Sequence, residues 1–147
     1  MSFDRQQFTD DLVSLALLDV PWVHKGRSEI GMDCVAPPRY ALEKQGVQLP
    51  EELLRIFDDY ARPPDGQKML ETMRKWLIEI TREELQPADL IVIFNRRNPC
   101  HVVVQMPGNL VAEAFESMDG SVSKFLIRAL DPRHRIAACF RIPDFAT

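Results

Sequence analysis

Excess basic charge is missing from this chain: 18 Lys and Arg stand against 22 Asp and Glu in 147 residues, for a formal charge of -4. Interspersed charges of both signs make no stripe that follows a phosphate backbone, so nucleic acid is not an expected partner. Long hydrophobic runs are missing as well. None approaches the roughly 20 residues needed to cross a bilayer, and the opening residues 1–9 lack the basic head of a secretory signal. The expectation is a chain made and folded in a cytoplasm, without membrane insertion. Cysteine is scarce: Cys34, Cys100 and Cys139 cannot all pair within one chain, which argues against a disulfide scaffold. These thiols and the histidines also lack the close ligand pairs of structural zinc, so neither a metal nor another cofactor is expected. There is no internal repeat and no low-complexity tail.

What is present suffices for one domain. Hydrophobic residues make up 46% of the chain, enough for a core without staples, and nothing marks a boundary, so residues 1–147 are expected to form a single domain. Phe8, Leu12, Leu15 and Ala16 recur at helical spacing. Residues 35–44 fit a second helix if Pro37 and Pro38 lie in its first turn, with Gly46 as terminator. Pro50, Glu51 and Glu52 open a third helix that reaches Phe57, its acidic residues at the positive end of the dipole. After the turn-rich stretch 62–66, the set Met69, Leu70, Met73, Trp76, Leu77 and Ile80 predicts an amphipathic helix. Beyond Pro87 the pattern changes to strands at 90–94, 101–106, 110–115, 123–127 and 136–142. Turn residues at 95–99, 107–109 and 118–120 separate them. Helices followed by a strand meander predict an α+β fold, with N-terminal helices packed on a C-terminal antiparallel sheet.

Two residues in this frame carry chemistry. Cys34, at the start of the 35–44 helix, meets unpaired amides and the positive end of the helix dipole, both of which favour a thiolate. His101, at the start of a central strand, is placed to act as base in forming that thiolate and as acid toward a leaving amine. A helix-start cysteine with a strand histidine is the geometry of a papain-like hydrolase. The alternative makes Cys34 a small buried hydrophobe and His101 a backbone-satisfied strand residue. His24 stands either by the cleft or in a backbone-satisfied loop. Cys100 points to the face opposite His101 and serves packing. His134, between Arg133 and Arg135, reads as a surface residue.

Five ordered blocks add a resemblance: Val20-Pro21-Trp22-Val23-His24-Lys25-Gly26-Arg27-Ser28, Gly31-Met32-Asp33-Cys34, Tyr60-Ala61-Arg62-Pro63-Pro64-Asp65-Gly66, Pro87-Ala88-Asp89-Leu90 and His101-Val102-Val103-Val104. From about Leu12 to Pro143 the chain resembles the NlpC-type cysteine peptidases. Within them it is similar to the short cell-wall peptidases of tailed-phage and gene-transfer-agent tail modules. The resemblance implies a circularly permuted papain-like fold and cleavage of bacterial peptidoglycan stem peptides, commonly beside D-glutamyl linkages to a diamino acid. It implies Cys34 as nucleophile and His101 as base. On the next strand, 12 positions past the base, it implies Glu113 as the third member. The oxyanion site or substrate cleft is expected around Trp22, His24, Asp33 and Val35.

Three departures accompany the resemblance. Glu113 stands where the family most often has His; a carboxylate accepts the imidazole's second N–H, which preserves an orienting role. Glu116 or Asp119 takes that place only if the strand ends elsewhere. Trp22 stands where Tyr is usual and offers an indole N–H in place of a hydroxyl. Ala36-Pro37 replaces Gly-Leu after the nucleophile, and with Pro38 two amide donors leave the first turn while those of Cys34 and Val35 remain. Two functions stand as alternatives. One is a cysteine endopeptidase assembled in the host cytoplasm and carried at a virion tail tip, beside tail-tip or hub proteins, to cut peptidoglycan. The other is a weak or inactive tail-tip assembly component on the same scaffold. Cys34 and His101 favour the first and the three departures the second.

Overall fold

The computed structural model describes residues 3–58, 65–116 and 123–145. Asp4 caps the first helix, α1 (Arg5–Ala16), by accepting from the Gln7 amide at 2.9 Å, and the helix buries Phe8, Leu12 and Leu15. A small hairpin follows, β1 (Arg27–Ser28) with β2 (Gly31–Met32). Strands of two residues are too short for hydrophobic alternation to reveal, and the sequence gives no sign of them. Helix α2 (Ala36–Lys44) carries Pro37 and Pro38 in its first turn, as expected, where a missing amide costs little. It stops at Gly46, whose φ of 76° admits the left-handed turn. The Gly46 amide donates to the Glu43 carbonyl at 2.9 Å and the Val47 amide to that of Leu42 at 3.1 Å, which satisfies the helix end. Helices α3 (Glu51–Asp58) and α4 (Gly66–Trp76) come next. Most of the turn expected between them, with the block from Tyr60 to Pro64, lies outside the described residues.

Helix α4 is shorter than its apolar repeat predicts. The backbone becomes extended at Leu77 (φ −112°, ψ 168°), and Ile78–Ile80 forms a strand, β3, so Leu77 and Ile80 do not belong to the helix. β-Branched Ile78 and Ile80 alternate about Glu79 and suit a pleated edge.

Longer strands complete the main sheet: β4 (Leu90–Asn95), β5 (Asn98–Gln105), β6 (Leu110–Glu116), β7 (Ser123–Ala129) and β8 (Ile136–Arg141). Their order is β3-β8-β4-β5-β6-β7, and each neighbouring pair is antiparallel. Strand β3 meets β8 through Ile78–Arg141 and Ile80–Cys139, which supplies hydrogen-bond partners to an edge that would otherwise stand open. The turn expected at 95–99 shrinks to Arg96 and Arg97, because Asn98 and Pro99 already pair with Asn95 and Phe94. Pro99 is tolerated beside the bulge between Ile93 and Phe94, where the ladder is locally broken. His101 consequently lies inside β5 instead of at its start. The turn expected at 118–120 lies outside the described residues.

Val92, Val102, Val104, Ala112 and Ala114 of the sheet share one core with Phe8, Leu12, Val35, Leu42 and Met73 from the helical half. Ile91, Ile93, Val103, Val111 and Cys139, alternating with the first set, form a second cluster. The architecture is α+β, with N-terminal helices and a C-terminal antiparallel sheet. Asp89 clamps α1 to that sheet: its buried carboxylate receives Arg5 at 2.7 Å and Arg141 at 2.8 Å. Burial pushes this carboxyl up, and the two guanidinium groups overcome that push and hold it below its ordinary range. The segment after α1 runs along the edge of β7, with the Phe125 amide donating to the Val20 carbonyl at 2.8 Å and the Trp22 amide to that of Ser123 at 2.9 Å. Trp22 also bridges to Met32, which brings this segment beside the residues that lead into Cys34.

Candidate active site

Asp33 shapes the start of α2. Its carboxylate is fully buried, one oxygen accepting from the Val35 and Ala36 amides at 3.2 Å each and the other from the Lys25 amide at 3.1 Å. These bonds cap a helix that continues into two prolines. They also fasten the loop at residues 23–26 to it, and the Asp33 amide returns a bond to the Gly26 carbonyl at 3.3 Å. Gly26 fits this approach because a Cβ there would strike the Gly31 carbonyl and the Met32 nitrogen. Two expectations are corrected by this arrangement. Asp33 joins loop to helix from a fully buried position and does not line a cleft. The Val35 amide is engaged by Asp33 and is not held ready for an oxyanion, and Val35 itself is only 3% exposed. The amide of Cys34 is not among the donors that Asp33 takes, and its side chain is half-buried.

From β5, His101 meets the helix terminus. Its ring lies close enough to the Cys34 side chain to be raised by it, and its Nε2 lies 3.1 Å from a Glu113 carboxylate oxygen. Strands β5 and β6 pair at Val104–Ala112 and Gln105–Val111, and Glu113 reaches the ring from the next residue of β6. The ring is 22% exposed, whereas the carboxylate is 1% exposed. Burial opposes an imidazolium here, but hydrogen bonds with Cys34 and Glu113, together with their negative charge, outweigh it and raise the ring from 6.5 to about 9. Burial also opposes the Glu113 anion; bonding to His101 and the charge of His101 and Arg128 overcome it, so the carboxyl stays below its ordinary range. An ionised carboxylate only accepts, so Nε2 carries the hydrogen in this bond and Nδ1 is the basic nitrogen of the neutral ring. The Cys34 sulfur also lies 3.5 Å from the Cys100 carbonyl oxygen, which fixes its direction. Such an assembly can take a proton from the thiol at Nδ1 and hold the resulting imidazolium in place through Glu113.

The other candidates fall into place around this line of three. Trp22 and His24 are half-buried and their rings stack 6.4 Å apart. Glu116 is exposed at the end of β6 and Asp119 lies outside the described residues, so Glu113 is the carboxylate seen to reach the ring. Cys100 and Cys139 are buried; burial, with the negative charge of Cys34 added, pushes the Cys100 thiol up to about 11, and burial raises that of Cys139. His134 is half-buried, a correction to the surface position expected for it. The loop before β8 folds it back, its amide donating to the Asp131 carbonyl at 3.0 Å. Arg128, which the sequence reading did not single out, grips Glu113 from β7, with Nε 3.3 Å from one carboxylate oxygen and Nη2 3.4 Å from the other. Only the register could have found it: Arg128 lies opposite Val111, and Glu113 is the next residue on the same face of β6. Among the described residues no cluster of three or more His, Cys, Asp or Glu side chains is arranged to hold a metal ion.

Comparison with solved structures decides the fold. An NlpC/P60 family protein from Bacillus cereus superposes with a TM-score of 0.70 at 15% identity, over 97% of this chain and 41% of that one. The fold is that of an NlpC/P60 domain. The NlpC/P60 domain of the peptidoglycan hydrolase SagA matches with a TM-score of 0.66 at 12% identity, covering 95% of this chain and all of that domain. The peptidoglycan hydrolase RipB of Mycobacterium tuberculosis matches with a TM-score of 0.59 at 18% identity, over 96% of this chain and 67% of that one. The chain thus spans about two-fifths of the Bacillus cereus protein and the whole of the SagA domain. No family model and no curated protein matches the sequence.

Proposed function

We propose that this chain is a cysteine peptidase that cleaves peptidoglycan stem peptides, with Cys34 as nucleophile, His101 as acid and base, and Glu113 orienting the imidazole. The observation that carries the reading is the His101 ring held between the Cys34 side chain and a buried, ionised Glu113. In this mechanism Nδ1 takes the proton of Cys34, and the thiolate adds to the carbonyl carbon of the scissile amide. The Cys34 amide donates to the oxyanion that forms, since Asp33 accepts from those of Val35 and Ala36. Collapse of the tetrahedral intermediate breaks the C–N bond, and His101 gives its proton to the departing amine. Water, deprotonated by His101, then hydrolyses the thioester, releasing the carboxylic acid and restoring the thiol. Peptidoglycan as substrate rests on the block resemblance and on the fold shared with SagA and RipB. The same resemblance supports reading the chain as a circular permutant of the papain arrangement. It also supports a place at a tailed-phage tip, with hub proteins as neighbours, after assembly in the host cytoplasm.

The test is chromatography of a synthetic stem peptide containing a D-glutamyl bond to a diamino acid, incubated with native protein, Cys34→Ala and Glu113→Ala. Cleavage by the native protein, none by Cys34→Ala and a rate lowered at least about tenfold in Glu113→Ala are expected. Folded native protein that cuts neither this peptide nor intact peptidoglycan overturns the reading and leaves the structural tail component in its place.

A further inference from the structure

We infer that Arg128 is a positioning residue of this site, dividing the charge of Glu113 so that the carboxylate orients His101 without locking its proton in place. The inference rests on the peptidase reading for its consequence and on geometry for its substance. Glu113 is 1% exposed, so its charge is compensated by neighbours and not by water. The two guanidinium bonds are side-on, Nε to one oxygen and Nη2 to the other, and the oxygen that Nη2 meets is the one His101 uses. His101 and Arg128 therefore share one acceptor oxygen. The guanidinium is itself held over the Phe115 ring, 4.1 Å from its centre, which keeps the fork aimed at Glu113.

A charged orienter creates a problem that a neutral one does not. An undivided carboxylate binds an imidazolium strongly, which helps to form the thiolate but makes the ring a poor donor to a leaving amine. Sharing the carboxylate with a permanent cation moderates that hold, while His101 supplies the larger part of what keeps Glu113 ionised. The groups facing the ring are the Cys34 side chain from the start of α2 and the Glu113 carboxylate from β6. Those facing the carboxylate are the ring from β5 and the guanidinium from β7. Loss of Arg128 removes a like charge from the neighbourhood of the imidazolium and leaves the anion to His101 alone. Both changes keep the ring protonated to higher pH.

The experiment is an NMR titration of the His101 ring in native protein, Arg128→Gln and Arg128→Lys, with kcat and KM measured on the stem peptide. Arg128→Gln should raise the ring's midpoint by about half a unit to one unit. It should also lower kcat several-fold with KM little changed, and Arg128→Lys should restore part of both. In a Glu113→Gln background, the Arg128→Gln change should leave kcat unmoved and shift the midpoint less than it does beside Glu113, because the shared anion is gone and only the direct like-charge effect remains. Coincident midpoints in folded native protein and Arg128→Gln overturn the inference, as does an unchanged kcat. A midpoint that moves while native protein cuts no peptide upholds the coupling and removes only the peptidase reading.

Discussion

Cys34→Ser lowers stem-peptide cleavage at least about 10,000-fold, the scale seen when the nucleophile of a concerted site is removed. The substitution exchanges one atom and keeps the side chain's size, so the start of α2 and the core behind it should stay intact. What changes is proton affinity. A ring with a pKa of about 9 can hold the proton of a thiol, whereas a hydroxyl gives up its proton far less readily and remains a weak nucleophile. The ring reports the change independently. Cys34 is one of the two partners that raise His101, so its midpoint falls below about 9 in Cys34→Ser. A serine variant that retains one-tenth of native cleavage contradicts Cys34 as nucleophile.

The second large effect is on stability. Asp33→Ala should lower the unfolding free energy by about 3 kcal/mol, measured by urea denaturation. The buried carboxylate is the acceptor for three amides, those of Lys25, Val35 and Ala36, and alanine leaves all three without it in a place that water does not reach. Pro37 and Pro38 relieve the first turn of further donors, and of the two amides that remain Ala36 also donates to the Asp33 backbone carbonyl at 3.3 Å, so Val35 depends most on the side chain. Asp33→Asn should lose less, because one oxygen survives while its amide group faces a donor with another donor. Cleavage by either variant should fall with the precision of the Cys34 position. A loss under 0.5 kcal/mol in Asp33→Ala, about the scale of an ordinary surface substitution, removes Asp33 from this role.

Much of this layout was legible before any coordinates. The five strands beyond Pro87 announced themselves through alternating apolar residues, and Pro37, Pro38 and Gly46 marked the ends of α2 by backbone chemistry alone. Leu77 and Ile80 misled, because an apolar repeat that fits a helix through Trp76 also fits a turn into an edge strand, and only the open edge of β8 decides between them. Cys34 was readable as a residue leading into α2 and His101 as one on a central strand, although His101 sits inside β5 and not at its start. The role of Asp33 was not, since a carboxylate before a nucleophile looks like part of a cleft until its three amide partners are seen. Arg128 is the hardest case. Its significance depends on lying beside Glu113 across two strands, and 15 residues of sequence separate them.

The most direct test of the central claim, that His101 activates Cys34, needs no substrate. Native protein and His101→Ala are treated with iodoacetamide at pH 7, and the alkylation of each cysteine is followed by peptide mass spectrometry. Cys100 and Cys139 serve as internal controls, since both are buried and burial raises both thiols. Alkylation of Cys34 at least about tenfold faster in native protein than in His101→Ala, with the other two cysteines silent in both, is the predicted result. Equal Cys34 rates in the two folded proteins would contradict the account.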